Sequence, residues 1–516
     1  MDRKTPHGSA PARRAARLAA AAGSAVLGLT LLSACKGPQQ TDPLLAATTA
    51  CRLPDLEQEA RCGSVKVKEN PANPASREIE VKFAVLPAQA RYKEPDPIVL
   101  LAGGPGQHGL KIAAPMSKVF GALNRKRDLI FIDQRGTGQS NGLECPMREL
   151  YAEMDKSLDP QAQIAVINRC QQTLAARNDL AGYATHIAVQ DFDAIRAKLG
   201  AERINLWGGS YGTRAAIEYS RQFPQRVRTL MLDGVAPADM PLPVSIARDG
   251  DAMVSNLIEA CAKDAACAKR YPDFAQRVDA LFTQPTSTLA LTDPYSGQKK
   301  SYAVPRNAVA SALRTPLYAP GMSAMLPQAV ARAAAGDGDP MLALSNAFAG
   351  GMEDEMSMGM HLAVVCAEDL PQLNDANVAQ AAKTRFGTAF VEQYRGMCKG
   401  FPQPQIPATY YSPVKHDRPT LVLSGGLDPV TPPAEGNKVT GWFSNAQHLV
   451  APYIGHIVSG QPCASKLIET FVKTEGKEKL DGACLAKLPR PTFYEPPQRP
   501  TAVAPKASIA QAGSTK

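Results

Sequence analysis

A serine held between glycines where a strand turns into a helix constrains this chain more than any other feature. In INLWGGSYGTRAA, residues 204–216, the apolar run Ile204–Trp207 enters Gly208-Gly209-Ser210-Tyr211-Gly212, and a helix-forming stretch follows. A strand and a helix whose backbones meet this closely leave no room for side chains at the flanking positions, and the sharp turn pushes the serine outward. A serine with only a structural task does not need such a corner. The remaining sequence supplies matching elements. Short apolar runs, IEVKFAVL (79–86), IVLLA (98–102), LIFID (129–133), TLMLDG (229–234) and TLVLSGG (420–426), alternate with amphipathic stretches such as AVQDFDAIRAKLG (188–200). This alternation predicts an α/β fold, a mostly parallel sheet flanked by helices.

The interval between TLMLDG and TLVLSGG is about six βαβ units of ~30 residues long, far more than a crossover needs. Residues 240–415 are therefore expected to form a large, mainly helical cap inserted before the strand at 420–426. VSNLIEACAKDAACAKRY (254–271) and AVARAAAGDGDPMLALSNAFAGG (329–351) have helical spacing, and no convincing strand is expected there. The core of the fold then comprises residues 51–239 and 416–487. The stretch from 488 to 516, rich in Pro and Ala, is expected to be a disordered tail. There is no internal repeat.

The N-terminus has the three parts of an export signal: basic residues to Arg17, an apolar run over 18–34, and Leu32-Ser33-Ala34-Cys35. That last stretch resembles the lipobox of bacterial lipoproteins. It implies a signal peptide over 1–34, lipidation at Cys35, a polar linker over 35–50 and a membrane anchor without a spanning helix, facing the periplasm. The net charge is +9, of which Arg3, Lys4, Arg13, Arg14 and Arg17 against Asp2 place +4 in the first 34 residues. The rest is dispersed with few neighbouring aromatics, which argues against nucleic-acid binding. With Cys35 lipidated, ten cysteines remain: Cys51, Cys62, Cys145, Cys170, Cys261, Cys267, Cys366, Cys398, Cys463 and Cys484. An even number in an exported chain reads as disulfides. Sequence does not fix their connectivity. Pairing of sequence neighbours is expected because short loops close easily. There is no C-x-x-C pair and no zinc-ligand spacing, so neither metal nor cofactor is expected.

Gly208-x-Ser210-x-Gly212 matches the nucleophile elbow of α/β-hydrolases, whose partners follow in the order Ser, acid, His. Asp428 ends PTLVLSGGLD and His456 ends AQHLVAPYIGH, both just past a strand, on the sheet edge where α/β folds place ligands. Of six histidines beyond residue 34, only His448 and His456 follow Asp428, and His448 lies inside a strand. Asp233 is a rival acid, although Asp233-Gly234 also reads as a turn. In this arrangement His456 takes the Ser210 proton, and Asp428 fixes the imidazole. Backbone N–H groups of Tyr211 and Gly104 form the oxyanion hole. Gly104 belongs to the loop Gly103-Gly104-Pro105-Gly106, where a phosphate cradle is the alternative. No Lys-Ser or Lys-Thr follows to support that alternative.

GGPG after a strand, DQRGTGQS (133–140), GGSYGT (208–213), a late Asp and a Gly-His together resemble the proline iminopeptidase and tripeptidyl aminopeptidase family of serine exopeptidases. The likeness spans roughly residues 75–475. The cap segment CAKDAACAKRYPD (261–273) and the C-terminal cysteine pair resemble the secreted tripeptidyl-aminopeptidase branch. Ala102 departs from the iminopeptidase branch, which has His before GGPG. The resemblance implies peptide substrates with a free N-terminus. Asp133 and Arg135 are read as loop braces. Glu368 and Asp369 are candidates to bind the substrate amine, with Glu353-Asp354-Glu355 a second cluster. Met352, Met356, Met358 and Met360 either fill core or line a pocket. An esterase on the same scaffold and a non-catalytic peptide-binding lipoprotein are the competing functions. The sequence does not give an oligomeric state.

Overall fold

The computed structural model describes residues 43–147, 153–293, 296–349 and 355–496. Cys35, the export signal, Met352, Glu353 and Asp354 lie outside them. The chain divides into two compact units, residues 1–46 and 47–516. The second unit carries the strands β1 (Thr49–Cys51), β2 (Ala60–Lys68), β3 (Glu78–Leu86), β4 (Ile98–Leu101), β5 (Leu129–Ile132), β6 (Ile204–Gly209), β7 (Val227–Asp233), β8 (Thr286–Thr292), β9 (Lys299–Pro305), β10 (Thr420–Gly425) and β11 (Ala446–Ala451).

Nine strands form one sheet in the order β1-β2-β3-β5-β4-β6-β7-β10-β11. From β5 to β11 every neighbouring pair is parallel, while β1, β2 and β3 add an antiparallel edge. Every residue of β4, β5, β6 and β10 is buried. Helices cover both faces of such strands, so their sequences read as mostly apolar runs, interrupted by the buried polar residues Asn205, Thr420 and Ser424. The parallel register brings the C-terminal ends of β6, β7, β10 and β11 side by side along one edge.

The inserted segment is built from helices, among them Leu242–Lys263, Arg306–Arg314, Leu326–Ala334 and Asp339–Ala349. It has its own core around Leu257, Phe274, Leu313, Val330 and Phe386. It also contains a hairpin, β8 paired antiparallel with β9, between the two stretches of helical spacing. TSTLALT alternates, and its buried Leu289 and Leu291 face the helices. Met360, Leu362 and Cys366 pack instead with Tyr183 and Tyr211 of the sheet-bearing part. Met360 is fully buried core.

All five pairs of sequence neighbours are disulfide-bonded: Cys51–Cys62, Cys145–Cys170, Cys261–Cys267, Cys366–Cys398 and Cys463–Cys484. They indicate an oxidising compartment outside the cytoplasm. Among the described residues no helix is long and apolar enough to cross a membrane. The expected disordered tail differs over 488–496. Tyr494 N–H donates to Ala324 O at 3.0 Å, and Phe493 packs on the inserted segment's core.

Candidate active site

Ser210 sits between β6 and the helix Tyr211–Gln222 with φ 55° and ψ −126°, a conformation that non-glycine residues rarely hold. The flanking glycines are required by contact. A Cβ at Gly208 would lie 2.3 Å from Gly212 O, and one at Gly212 would lie 2.3 Å from Leu101 O. The Tyr211 N–H is the first of the helix and has no intrahelical partner. The Gly103 N–H is taken by Gln107 Oε1 at 3.0 Å. Gly104, Ser210 and Tyr211 line one narrow cleft together with Arg214, Thr431 and Asp369.

Asp428 follows β10 and is fully buried. Its Oδ1 accepts the backbone N–H groups of Val430 at 2.8 Å and Thr431 at 2.9 Å. Its Oδ2 accepts the Thr431 hydroxyl at 2.6 Å and His456 Nδ1–H at 2.9 Å. Burial raises the carboxyl pKa, but the His456 charge and the hydrogen bonds outweigh it, so the net direction is down. Asp428 is held as the carboxylate. The His456 Nδ1–H also lies 3.2 Å from Thr431 Oγ1. With Nδ1 committed, Nε2 is the nitrogen left for chemistry.

Ser210 and His456 both border the end of β7. Ser210 N–H donates to Asp233 O at 2.9 Å. A Cβ on the next residue, Gly234, would come within 3.3 Å of His456 Cε1. No hydrogen bond joins Ser210 Oγ to His456 Nε2 among the described residues, and such contacts are commonly loose before substrate binds. Asp233, the rival acid, is directed elsewhere. Its two oxygens accept Val458 N–H at 2.8 Å and Ser459 N–H at 2.7 Å, which pins the loop that carries His456. His448 lies in β11, bonded to Asn437 and Ser424.

The inserted segment touches the histidine directly. His456 N–H donates to Tyr318 O at 3.0 Å, and the two rings meet edge to face with centroids 5.2 Å apart. Gly455 permits this approach, since a Cβ there would lie 2.2 Å from Tyr318 O. The glycine loop is held likewise. His361 Nδ1–H donates to Pro105 O at 3.1 Å, and Ser357 N–H donates to Gly106 O at 2.9 Å. Met356 reaches the same loop beside Gly104.

Glu368 and Asp369 lie on one π-helical turn, Val365–Asp369, a distortion frequent at functional sites. Arg214, one turn after Ser210 on its helix, is bidentate to Asp369 at 3.0 Å from each nitrogen and reaches Glu368 at 3.4 Å. Asp369 faces the cleft with Ser210, whereas Glu368 does not. Glu368 instead accepts from Thr185 N–H at 2.7 Å and from the Tyr410 hydroxyl. Burial raises its pKa, and the Arg214 charge opposes this. Asp133 and Arg135 act as braces. Asp133 accepts the Leu110 and Gln139 N–H groups, and Arg135 is bidentate to Asp191 at 2.6 and 2.7 Å. Glu355, the described member of the acidic run, accepts the His108 N–H through its carbonyl at 2.8 Å. Among the described residues no group of His, Cys, Asp and Glu could hold a metal ion.

Sequence reasoning missed Thr431, Tyr318, His361 and Arg214. The i, i+4 spacing of Ser210 and Arg214 on one helix carried a signal for the last. The backbone contact of Tyr318 carried none.

The serine protease Hip1 of Mycobacterium tuberculosis is 26% identical to this chain over 419 residues, covering 73% of the chain and 78% of Hip1. A tripeptidyl aminopeptidase of Streptomyces lividans is 28% identical over 195 residues, 35% of this chain and 36% of that protein. Among solved structures, the proline iminopeptidase of Mycobacterium smegmatis is similar with 16% identity and a TM-score of 0.35, over 80% of this chain and 99% of that one. The profile of the alpha/beta hydrolase fold matches residues 96–461, most of the chain and all three of Ser210, Asp428 and His456. The chain therefore belongs to the α/β-hydrolase family.

Proposed function

We propose that this protein is an exported serine exopeptidase that removes residues from the free N-termini of peptides, anchored to a membrane through lipid on Cys35. Ser210 Oγ attacks the scissile carbonyl carbon while His456 Nε2 takes its proton. The oxyanion forms against the N–H groups of Tyr211 and Gly104. The imidazolium then protonates the departing amine, the C–N bond breaks, and an ester to Ser210 remains. Water, deprotonated by His456, hydrolyses that ester and restores the serine. Asp428, ionised and aimed at Nδ1, keeps the tautomer that leaves Nε2 unprotonated.

The observation that carries the peptidase reading is Asp369 in the same cleft as Ser210. A single guanidinium, Arg214, faces two carboxylates, Asp369 and Glu368. Two carboxyl groups share that one cation, and Asp369, on the cleft side, is the acceptor a substrate ammonium would meet. The relatives named serine protease and tripeptidyl aminopeptidase support the same class. The tie of Arg214 to Asp369 favours a second reading, an esterase acting on neutral acyl groups. The test is a panel of peptide amides assayed free and N-acetylated on the purified mature protein. The peptidase reading expects turnover of the free amines and loss of about a hundredfold or more on acetylation. Equal turnover of both sets, or turnover of neutral esters alone, overturns it.

A further inference from the structure

An apolar groove of about 220 Å³ lies in the inserted segment, between the helices Leu326–Ala334 and Asp339–Ala349. Met325, Gln328 and Ala329 form one wall, and Pro340, Ala343 and Leu344 form the other. Both walls lead back to the catalytic histidine. The first follows from Pro320, whose Cδ would lie 2.9 Å from a Cβ on Gly455. The second runs along one helix face, Pro340, Leu344 and Phe348. Phe348 packs on Tyr318 with centroids 4.9 Å apart, and Tyr318 in turn packs on His456 at 5.2 Å. Ala343 and Ala347 are exposed beside this line.

We propose that this groove is a subsite for the leaving peptide, taking an apolar side chain five or six residues after the scissile bond. The proposal rests on the peptidase reading. Protonation of the departing amine by His456 requires the chain beyond the scissile bond to pass the imidazole. Leu344 in the groove wall leads through Phe348 and Tyr318 to that imidazole. By way of Tyr318, Phe348 and one helical turn back to Leu344, the groove lies about 15 Å from the His456 ring. An extended peptide advances ~3.3 Å per residue, so the groove lies about four or five residues beyond the one next to His456. Apolar cavities of ~150 Å³ hold benzene, so the groove has room for a leucine side chain.

The test uses the full mature protein and three substrates sharing one N-terminal sequence. One ends in 7-amido-4-methylcoumarin, one continues as Ala-Ala-Ala-Ala-Leu-Leu-amide, and one as Ala-Ala-Ala-Ala-Asp-Asp-amide. The proposal expects kcat/KM about tenfold higher for the Leu peptide than for the Asp peptide. Ala343→Glu and Gln328→Glu, on opposite walls, should each bring that ratio to about one. A ratio measured on one sample does not depend on how much of the variant has folded. A coumarin amide that is not cleaved refutes the peptidase reading itself. A coumarin amide that is cleaved, with a Leu/Asp ratio near one in the wild type or unchanged in both variants, overturns the groove alone. A truncation after Pro496 that by itself creates the Leu preference would put the chain's own tail in the groove and equally overturn the proposal.

Discussion

Replacing each buried aspartate at the sheet edge by asparagine separates the catalytic acid from the brace. At Asp428, Oδ1 accepts two backbone N–H groups and Oδ2 faces His456 Nδ1 and the Thr431 hydroxyl. Those backbone donors hold the asparagine oxygen at the Oδ1 position. The amide NH2 then points at His456 and donates to Nδ1, which moves the imidazole proton to Nε2. A histidine in that tautomer cannot accept the serine proton, and the expected loss in kcat is about 10⁴-fold, ~5.4 kcal/mol. The fold loses little, because Thr431 Oγ1 can turn to accept. At Asp233 the two oxygens accept two different backbone N–H groups, from Val458 and Ser459. Asn there sets an NH2 against one buried N–H, costing about 1–3 kcal/mol of stability, while kcat falls no more than about tenfold. The assay is kcat at pH 7.5 on a free-amine coumarin substrate, with urea unfolding of each variant. Retention of activity in Asp428→Asn, or the larger loss in Asp233→Asn, refutes this division of roles.

Three further outcomes are expected. Arg214→Met leaves Asp369 and Glu368 without their buried cation and should lower unfolding stability by about 3–5 kcal/mol in urea titration; a change under about 1 kcal/mol would show that the cluster does not depend on Arg214. Burial lowers His186 and His416 to about 4 from an ordinary value near 6.5. An unfolded chain therefore takes up their protons first, and the stability they contribute is complete above about pH 6.5 and lost as pH falls toward 4. By linkage each site costs up to about 2 kcal/mol at pH 5, nearer 1 kcal/mol after allowing for partial exposure. The His186→Gln/His416→Gln variant should lose less stability than wild type between pH 7 and 5, and identical slopes would contradict the shifts. Gly455→Ala drives a methyl into Tyr318 O and should lower kcat about tenfold or more for the folded protein, with a stability loss of about 1–3 kcal/mol in urea titration; unaltered kcat would mean that the Tyr318 contact does not position His456.

Much of the sheet edge was legible because chemistry there is tied to chain order. A serine between glycines, an acid past one apolar run and a Gly-His past the next are local patterns, and parallel strands bring their C-terminal ends together. Disulfide pairing was equally local. The hairpin β8–β9 is legible in the alternation of TSTLALT, but helical spacing on either side masks it. Over 488–496 the tail went the other way, and 497–516 lie outside the described residues. Pro-rich composition suggested disorder, yet Phe493 finds an apolar contact that composition cannot report. Tyr318 and His361 act on the site through contacts spanning more than a hundred residues, with no periodicity to expose them. In sequence Glu368 and Asp369 read as one pair for the substrate amine, but of the two only Asp369 lines the cleft; the burial of Glu368 depends on Arg214 and Tyr410, which lie far away in sequence.

The central assignment, a serine nucleophile activated by His456, is tested most directly by mass spectrometry after treatment with a fluorophosphonate. One adduct per chain is expected, on the peptide containing Ser210, absent in Ser210→Ala and formed about a thousandfold more slowly in His456→Gln. An adduct that persists in Ser210→Ala, or a rate indifferent to His456, would contradict the assignment.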